Sequence, residues 1–132
     1  MRTGIDLISV RRLEGVLARH GDRFLNRVYT KEEMTICSGD PRRLAGRYAA
    51  KEAVSKALGS GIGRAGISFR DIEILCDPAG APQVFLHGAA GALYKKLGGQ
   101  GLSLSISHEN EFAVAFCVLI TVFHPGGEAA DA

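Results

Sequence analysis

The sequence predicts an α+β fold: an antiparallel sheet packed against helices that include one long central helix. Three observations predict it. Leu102, Leu104 and Ile106 alternate with smaller or polar residues, the period of a half-buried strand. A second apolar run, Phe112 to Val122, follows the short polar connection His108-Glu109-Asn110-Glu111, so the two runs are placed to pair antiparallel. Upstream, Asp40-Pro41 joins an N-cap to a proline at the first helical position and opens a helix that reaches about Leu58, with Gly59 just past its end. Strand, helices, then strands in this order give α+β rather than an alternating α/β chain.

The remaining elements follow in order. Thr3 to Ile8 reads as a short strand. Ser9 caps a helix whose apolar positions Val10, Leu13 and Leu17 have helical spacing, and Gly21 ends or kinks it. Thr30-Lys31-Glu32-Glu33 has the capping-box pattern and starts another short helix. Ile67 to Cys76, with Ile72, Ile74 and Cys76 alternating, reads as a strand. Asp77-Pro78-Ala79-Gly80 is a turn and Gln83 to His87 continues as a strand. Ala89 to Leu97 reads as a helix closed by Gly98-Gly99. Phe112 to Val122 reads as a more fully buried strand.

Composition narrows the function classes. The 132 residues suit one domain, expected over residues 1–123, with a polar, small-residue tail over 124–132 expected to be flexible. Apolar residues make up 46% and charged residues 23%, ordinary for a globular protein. The longest apolar run is too short to span a bilayer as a helix, and the first residues have no signal-peptide core, so no membrane partner and a cytoplasmic location are expected. Net charge of +2 gives no reason to expect nucleic acid. Cys37, Cys76 and Cys117 are widely spaced with no CxxC pair. They read as reduced core residues, Cys76 and Cys117 lying in strands expected to be buried.

Several residues carry possible chemistry. Leu44, Tyr48 and Glu52 follow one another by single helical turns, so Glu52 continues an apolar stripe. A carboxylate there is costly unless it is paired or binds a cation. Lys56, one turn on, allows either a surface ion pair or a shared anion site. Gly59-Ser60-Gly61-Ile62-Gly63 either stops the helix or brings backbone N–H groups to a phosphate; it is neither a P-loop nor a dinucleotide fingerprint. Asp6 sits in a strand, where aspartate is disfavoured, and faces either solvent or a cation. His108 ends a strand and can donate to a phosphate oxygen. Arg11, Arg12, Arg19, Arg23 and Arg27 crowd one segment, either as a solvated face or as a docking face for an acidic partner.

Taken together, Gly4-Ile5-Asp6, Arg12, Arg47-Tyr48-Ala49-Ala50-Lys51-Glu52-Ala53 with Lys56-Ala57-Leu58-Gly59-Ser60-Gly61-Ile62, Ser105-Ile106-Ser107-His108 and Ala113-Val114-Ala115 closely resemble the bacterial holo-acyl-carrier-protein synthases, the small class of phosphopantetheinyl transferases. The resemblance runs from about Gly4 to Leu119. Its specific part is an aromatic-x-x-Lys-Glu-x-x-x-Lys element, in which Tyr48 stands where Phe or Trp is usual; Ser60 stands where Thr is frequent.

The resemblance implies a phosphopantetheinyl transferase-like α+β fold and a homotrimer with coenzyme A between neighbouring subunits. It implies transfer of the 4′-phosphopantetheine group of coenzyme A to a serine of apo acyl carrier protein, releasing adenosine 3′,5′-bisphosphate, in support of fatty acid biosynthesis. Asp6 and Glu52 would hold Mg²⁺, with Mn²⁺ as an alternative, and with Lys56 on the pyrophosphate they form the implied catalytic set. Arg47, Lys56, Gly59, Ser60, Gly61, Ser107 and His108 would bind coenzyme A. Arg12 would meet the acidic recognition helix of the carrier protein, with Arg19, Arg23 and Phe24 in the same docking segment. Two other readings compete: a broader enzyme serving polyketide or peptide synthase carrier domains, and a non-catalytic module binding coenzyme A or acidic partners.

Overall fold

A computed structural model describes residues 1–122; Phe123 and the expected tail, residues 124–132, lie outside the described residues. Strand β1 (Arg2–Ser9) runs directly into helix α1 (Val10–Val28). Ser9 makes that switch possible, since its hydroxyl accepts the Arg12 N–H at 3.2 Å. Helix α2 (Lys31–Cys37) carries the full capping box: Thr30 Oγ1 accepts from Glu33 N and Glu33 Oε1 accepts from Thr30 N. Helix α3 (Pro41–Leu58) starts where Asp40 Oδ1 accepts from Arg42 N at 2.9 Å, and stops at Gly59 with φ 85°. Then come β2 (Ile72–Cys76), β3 (Pro82–Leu86), α4 (Gly88–Lys96), β4 (Gly99–His108) and β5 (Phe112–Thr121).

The strands form two sheets rather than the single one expected. One has the order β1-β5-β4 and the other is the hairpin β2-β3, both antiparallel. The second strand also starts later than its sequence suggests. Phe69–Asp71 forms a 3-10 turn, with Ser68 N donating to Asp71 Oδ2 at 3.1 Å, and the ladder begins at Ile72. Ile67 still packs in the core, which explains why its stretch reads as strand.

Helix α3 is the centre of the molecule. Eleven of its residues, including Leu44, Ala49, Ala53, Val54 and Leu58, are buried, so the helix is enclosed on nearly every side. Burying a Leu or Val contributes about 1.5–3 kcal/mol. Strand β1 lies against it so closely that a Cβ on Gly4 would run into the carbonyl oxygen of Ala53. Lys51 and Glu33, both fully buried, form an ion pair of 2.8 Å between α3 and α2.

Two expectations of burial fail. Strand β5 alternates: Ala113, Ala115, Cys117 and Leu119 face α3, while Phe112, Phe116 and Ile120 are exposed. Helices cover one face of the three-stranded sheet and leave the other open, where Ile5 and Leu7 of β1 are also exposed. Cys76 is exposed at the end of β2, opposite Pro82 and next to the turn; Cys37 and Cys117 are buried as expected.

Candidate functional site

Period-two alternation divides the side chains of β1. Ile5 and Leu7 go to the open face; Gly4, Asp6 and Ile8 go to the face that packs on α3. Asp6 is in register with Ala115, which is in turn opposite Ile106, so small and apolar neighbours surround it within the sheet. On α3, Lys56 reaches across to β1. Its Nζ donates to Asp6 Oδ1 at 3.1 Å and to the Ile5 carbonyl at 2.9 Å. Glu52 sits one turn earlier on the same helix. The ion pair of Lys56 is thus made with Asp6 on another element, not within the helix with Glu52.

Asp6 and Glu52 line one cleft of about 330 Å³ with Ser9, Arg12, Phe24 and Tyr48. Burial raises the Glu52 carboxyl above its ordinary value, the nearby charge of Asp6 raises it further, and Lys56 partly offsets both. Burial also raises the Tyr48 hydroxyl, reinforced by the Glu52 and Asp6 carboxylates. Two carboxylates from separate elements that repel each other across a cleft gain from a shared cation. Among the described residues no third His, Cys, Asp or Glu joins them. Such a donor set suits Mg²⁺, which takes one or two protein carboxylates and fills its other positions with water and phosphate oxygens.

Phe24 and Tyr48 also border a second groove of about 430 Å³, lined by Val16, His20, Arg23 and Arg27. The rings of Phe24 and Tyr48 stack at 6.1 Å, and Tyr48 meets Phe69 at 5.1 Å. The structure therefore places Arg12 and Phe24 on the carboxylate cleft and Arg23 in the adjoining groove. Arg19 is exposed on the same helix and lines neither space.

Other expected site residues lie apart. Arg47 is not on the cleft wall; its Nε donates to the Ile74 carbonyl at 3.1 Å, toward the two-stranded sheet. The N–H groups of Gly59, Ser60 and Gly61 are all bonded to carbonyls of α3, Ser55 accepting from Ser60 and Gly61 at 3.2 Å. The loop closes the helix with its own donors, so these three N–H groups are already satisfied by backbone carbonyls. Ser107 and His108 line a separate cleft of about 230 Å³ with Glu109, Phe112 and Val114. Leu7, 63% exposed, borders both this cleft and the one holding Asp6.

Sequence reasoning placed Tyr48 and Lys51 in the family motif and Glu33 in a capping box but gave none of the three a role at the site. Lys51 Nζ donates to Glu33 Oε1, to the Phe69 carbonyl at 2.9 Å and to the Ile72 carbonyl at 2.6 Å. Glu33 Oε2 accepts from Ile74 N at 2.8 Å. Burial lowers the Lys51 ammonium and the Glu33 charge opposes that shift. The pair thus fixes the backbone of Phe69, the ring of which backs Tyr48. The available signal was a lysine flanked by Ala49, Ala50 and Ala53, a position the helix buries.

Comparisons with known proteins identify the family. Residues 2–117 match the family model described as the 4′-phosphopantetheinyl transferase superfamily. A holo-acyl-carrier-protein synthase of Carboxydothermus hydrogenoformans is 44% identical over 120 residues, covering 89% of this chain and 95% of that protein. The holo-acyl-carrier-protein synthase of Helicobacter pylori, solved in complex with coenzyme A, superposes with a TM-score of 0.82 at 38% identity, covering 89% of this chain and 99% of that one. The corresponding enzyme of Neisseria meningitidis gives 0.82 at 36% identity, covering 91% and 98%. With a family match over nearly its whole described length and relatives this similar, the chain belongs to the 4′-phosphopantetheinyl transferase superfamily.

Proposed function

We propose that this protein is a holo-acyl-carrier-protein synthase. It transfers 4′-phosphopantetheine from coenzyme A to a serine hydroxyl of apo acyl carrier protein and releases adenosine 3′,5′-bisphosphate. One observation carries the assignment: Asp6 of β1 and Glu52 of α3 line one cleft, with Lys56 bonded to Asp6, in a chain whose relatives bear this name. The broader reading, carrier domains of polyketide or peptide synthases, uses the same chemistry and differs only at the docking surface.

The reaction forms a bond from the serine oxygen to the β-phosphorus and breaks the phosphorus–oxygen bond to the leaving nucleotide, which departs with the electron pair. Asp6 and Glu52 would hold Mg²⁺, or Mn²⁺, which when bound neutralises charge on the pyrophosphate. Lys56 has three N–H donors and spends two on Asp6 and Ile5, so one remains for a phosphate oxygen. The serine proton leaves to a base at the cleft, whose wall includes the Glu52 carboxylate. Arg12, at the rim of the cleft, meets the acidic carrier protein.

The open face of the three-stranded sheet supports assembly. Ile5, Leu7, Phe112, Phe116 and Ile120 form an exposed apolar surface, and the Ser107–His108 cleft adjoins it through Leu7 and Phe112. Copies packed on this face would set Ser107 and His108 of one chain against the Asp6–Glu52 cleft of the next, as a trimer with shared coenzyme A sites requires. No helix among the described residues is long and apolar enough to cross a membrane, which accords with a cytoplasmic enzyme.

The test is intact-mass measurement of apo acyl carrier protein incubated with this protein, coenzyme A and Mg²⁺. The carrier is expected to gain one phosphopantetheine group, and EDTA to prevent it. A folded protein that binds coenzyme A yet modifies no carrier, including synthase carrier domains, would overturn the assignment in favour of a binding module.

A further inference from the structure

Gly21 interrupts α1 with φ 46° and ψ −122°, the non-helical residue at which the helix kinks. L-residues reach these angles only with strain. Crowding does not explain the glycine, because an added Cβ would meet no heavy atom within 4 Å. The backbone angle is what requires it.

The kink changes the shape of one helix face. Val16, His20, Arg23, Phe24 and Arg27 have the spacing of a single stripe on a regular helix. A straight helix presents such a stripe as a convex ridge. Here the five residues line a concave groove with Tyr48, and Val16, Phe24 and Tyr48 form its shared wall with the Asp6–Glu52 cleft. Val16 and His20 precede the bend; Arg23, Phe24 and Arg27 follow it. The groove has an apolar floor of Val16, Phe24 and Tyr48 and a rim of His20, Arg23 and Arg27. A surface of that kind fits a helix that carries acidic and apolar residues on the same turns.

We propose that the Gly21 kink shapes the carrier-protein docking surface: it folds a ridge into the groove that receives the acidic helix and sets Arg23 and Arg27 at a fixed angle to Arg12. The proposal rests on the docking role given above to α1. Gly21 itself is a positioning residue and touches neither substrate.

Handedness provides the test. The mirror image of these angles, φ −46° and ψ 122°, lies at the edge of the region that L-residues favour, so a D-alanine at position 21 fits the kink and an L-alanine opposes it. The native Cys37 allows a synthetic segment of residues 1–36 to be ligated to an expressed segment of residues 37–132. Steady-state transfer is then compared for glycine, L-alanine and D-alanine at position 21, with Arg23→Ala and Gly15→Ala as recombinant controls.

Gly21→Ala with the L-residue is expected to raise the carrier-protein KM about tenfold, while kcat and the coenzyme A KM stay within about twofold. The D-alanine protein and Gly15→Ala are expected to match the unmodified chain. Equal carrier KM values for the two alanine epimers would overturn the proposal. So would a raised carrier KM in the D-alanine protein, whether or not the L-form folds. The docking role fails separately, if Arg23→Ala leaves the carrier KM unchanged; if Arg23→Ala raises it and L-alanine does not, the kink proposal alone is lost.

Discussion

Replacing Lys51 by methionine removes a charge of great structural consequence while preserving length and apolar bulk. Three donors leave with it: those to Glu33 Oε1 at 2.8 Å, Phe69 O at 2.9 Å and Ile72 O at 2.6 Å. Glu33, fully buried, keeps only its neutral donors, Thr30 N and Ile74 N. Stranding one member of a buried ion pair costs about 3–5 kcal/mol. For a domain of this size that lowers Tm by roughly 10–20 °C. Adding Glu33→Gln removes the stranded charge, so the double variant is expected to be less destabilised than the two single costs summed, with a coupling of about 1–3 kcal/mol. Urea unfolding at fixed protein concentration measures all three variants. A loss under about 1 kcal/mol for Lys51→Met, or strictly additive costs, would refute the claim that this pair clamps α2 and the Phe69 turn onto α3.

Four further outcomes are expected. Glu52→Gln keeps the fold and lowers transfer by about 10³-fold or more, because one of the two carboxylates that would hold Mg²⁺ is lost; normal turnover would remove Glu52 from the site. Arg12→Ala raises the carrier-protein KM, by more at low salt than at high salt, and an unchanged KM in a salt titration would contradict its role. Burial alone would raise the Glu73 carboxyl, but hydrogen bonds from Thr30 and His87 outweigh it and hold the group below its ordinary 4.5. Its contribution to stability is therefore complete above about pH 4.5 and lost as pH falls through the lowered folded value. Unfolding curves of the wild type and Glu73→Gln should converge in acid, and a constant gap would show that the carboxylate does not contribute this way. Phe116→Asp on the open face, where Phe116 is 44% exposed, is expected to reduce the solution mass measured by light scattering to that of one chain; a persistent trimer would exclude this face as the interface.

Much of this architecture was legible because local signals act locally. Ser9, Thr30 with Glu33, and Asp40-Pro41 each cap the helix they announce, since a cap needs only its own first turn. The division into two sheets was not legible, because strand partners are chosen by tertiary packing on α3 and not by the strand's own pattern. The site divides in the same way. Glu52 stood out as a charge on an apolar stripe, Asp6 as an aspartate in a strand and Lys56 as a cation one turn after Glu52, and the fold brings the three together. That Lys56 pairs with Asp6 rather than with Glu52 depends on how closely β1 approaches α3 at Gly4, a distance no helical wheel contains. The loop after α3 was ambiguous for a comparable reason: glycine permits either helix closure or anion binding, and only the positions of the carbonyls show which donors are already used.

The pairing of β1 with β5 bears on how the cleft comes into being. Arg2 finds Leu119 and Asp6 finds Ala115, so the earliest strand waits for the latest one. Contacts this distant in sequence form slowly, since the entropy of closing the intervening chain is lost before the ladder returns any stability. Helix α3 can dock α1, β1 and the hairpin beforehand, since β1 packs directly on it at Gly4 and Lys56 binds Asp6. Strand β1 still has no ladder partner until β5 is laid down beside it, so the ladder that holds Asp6 in register is completed last.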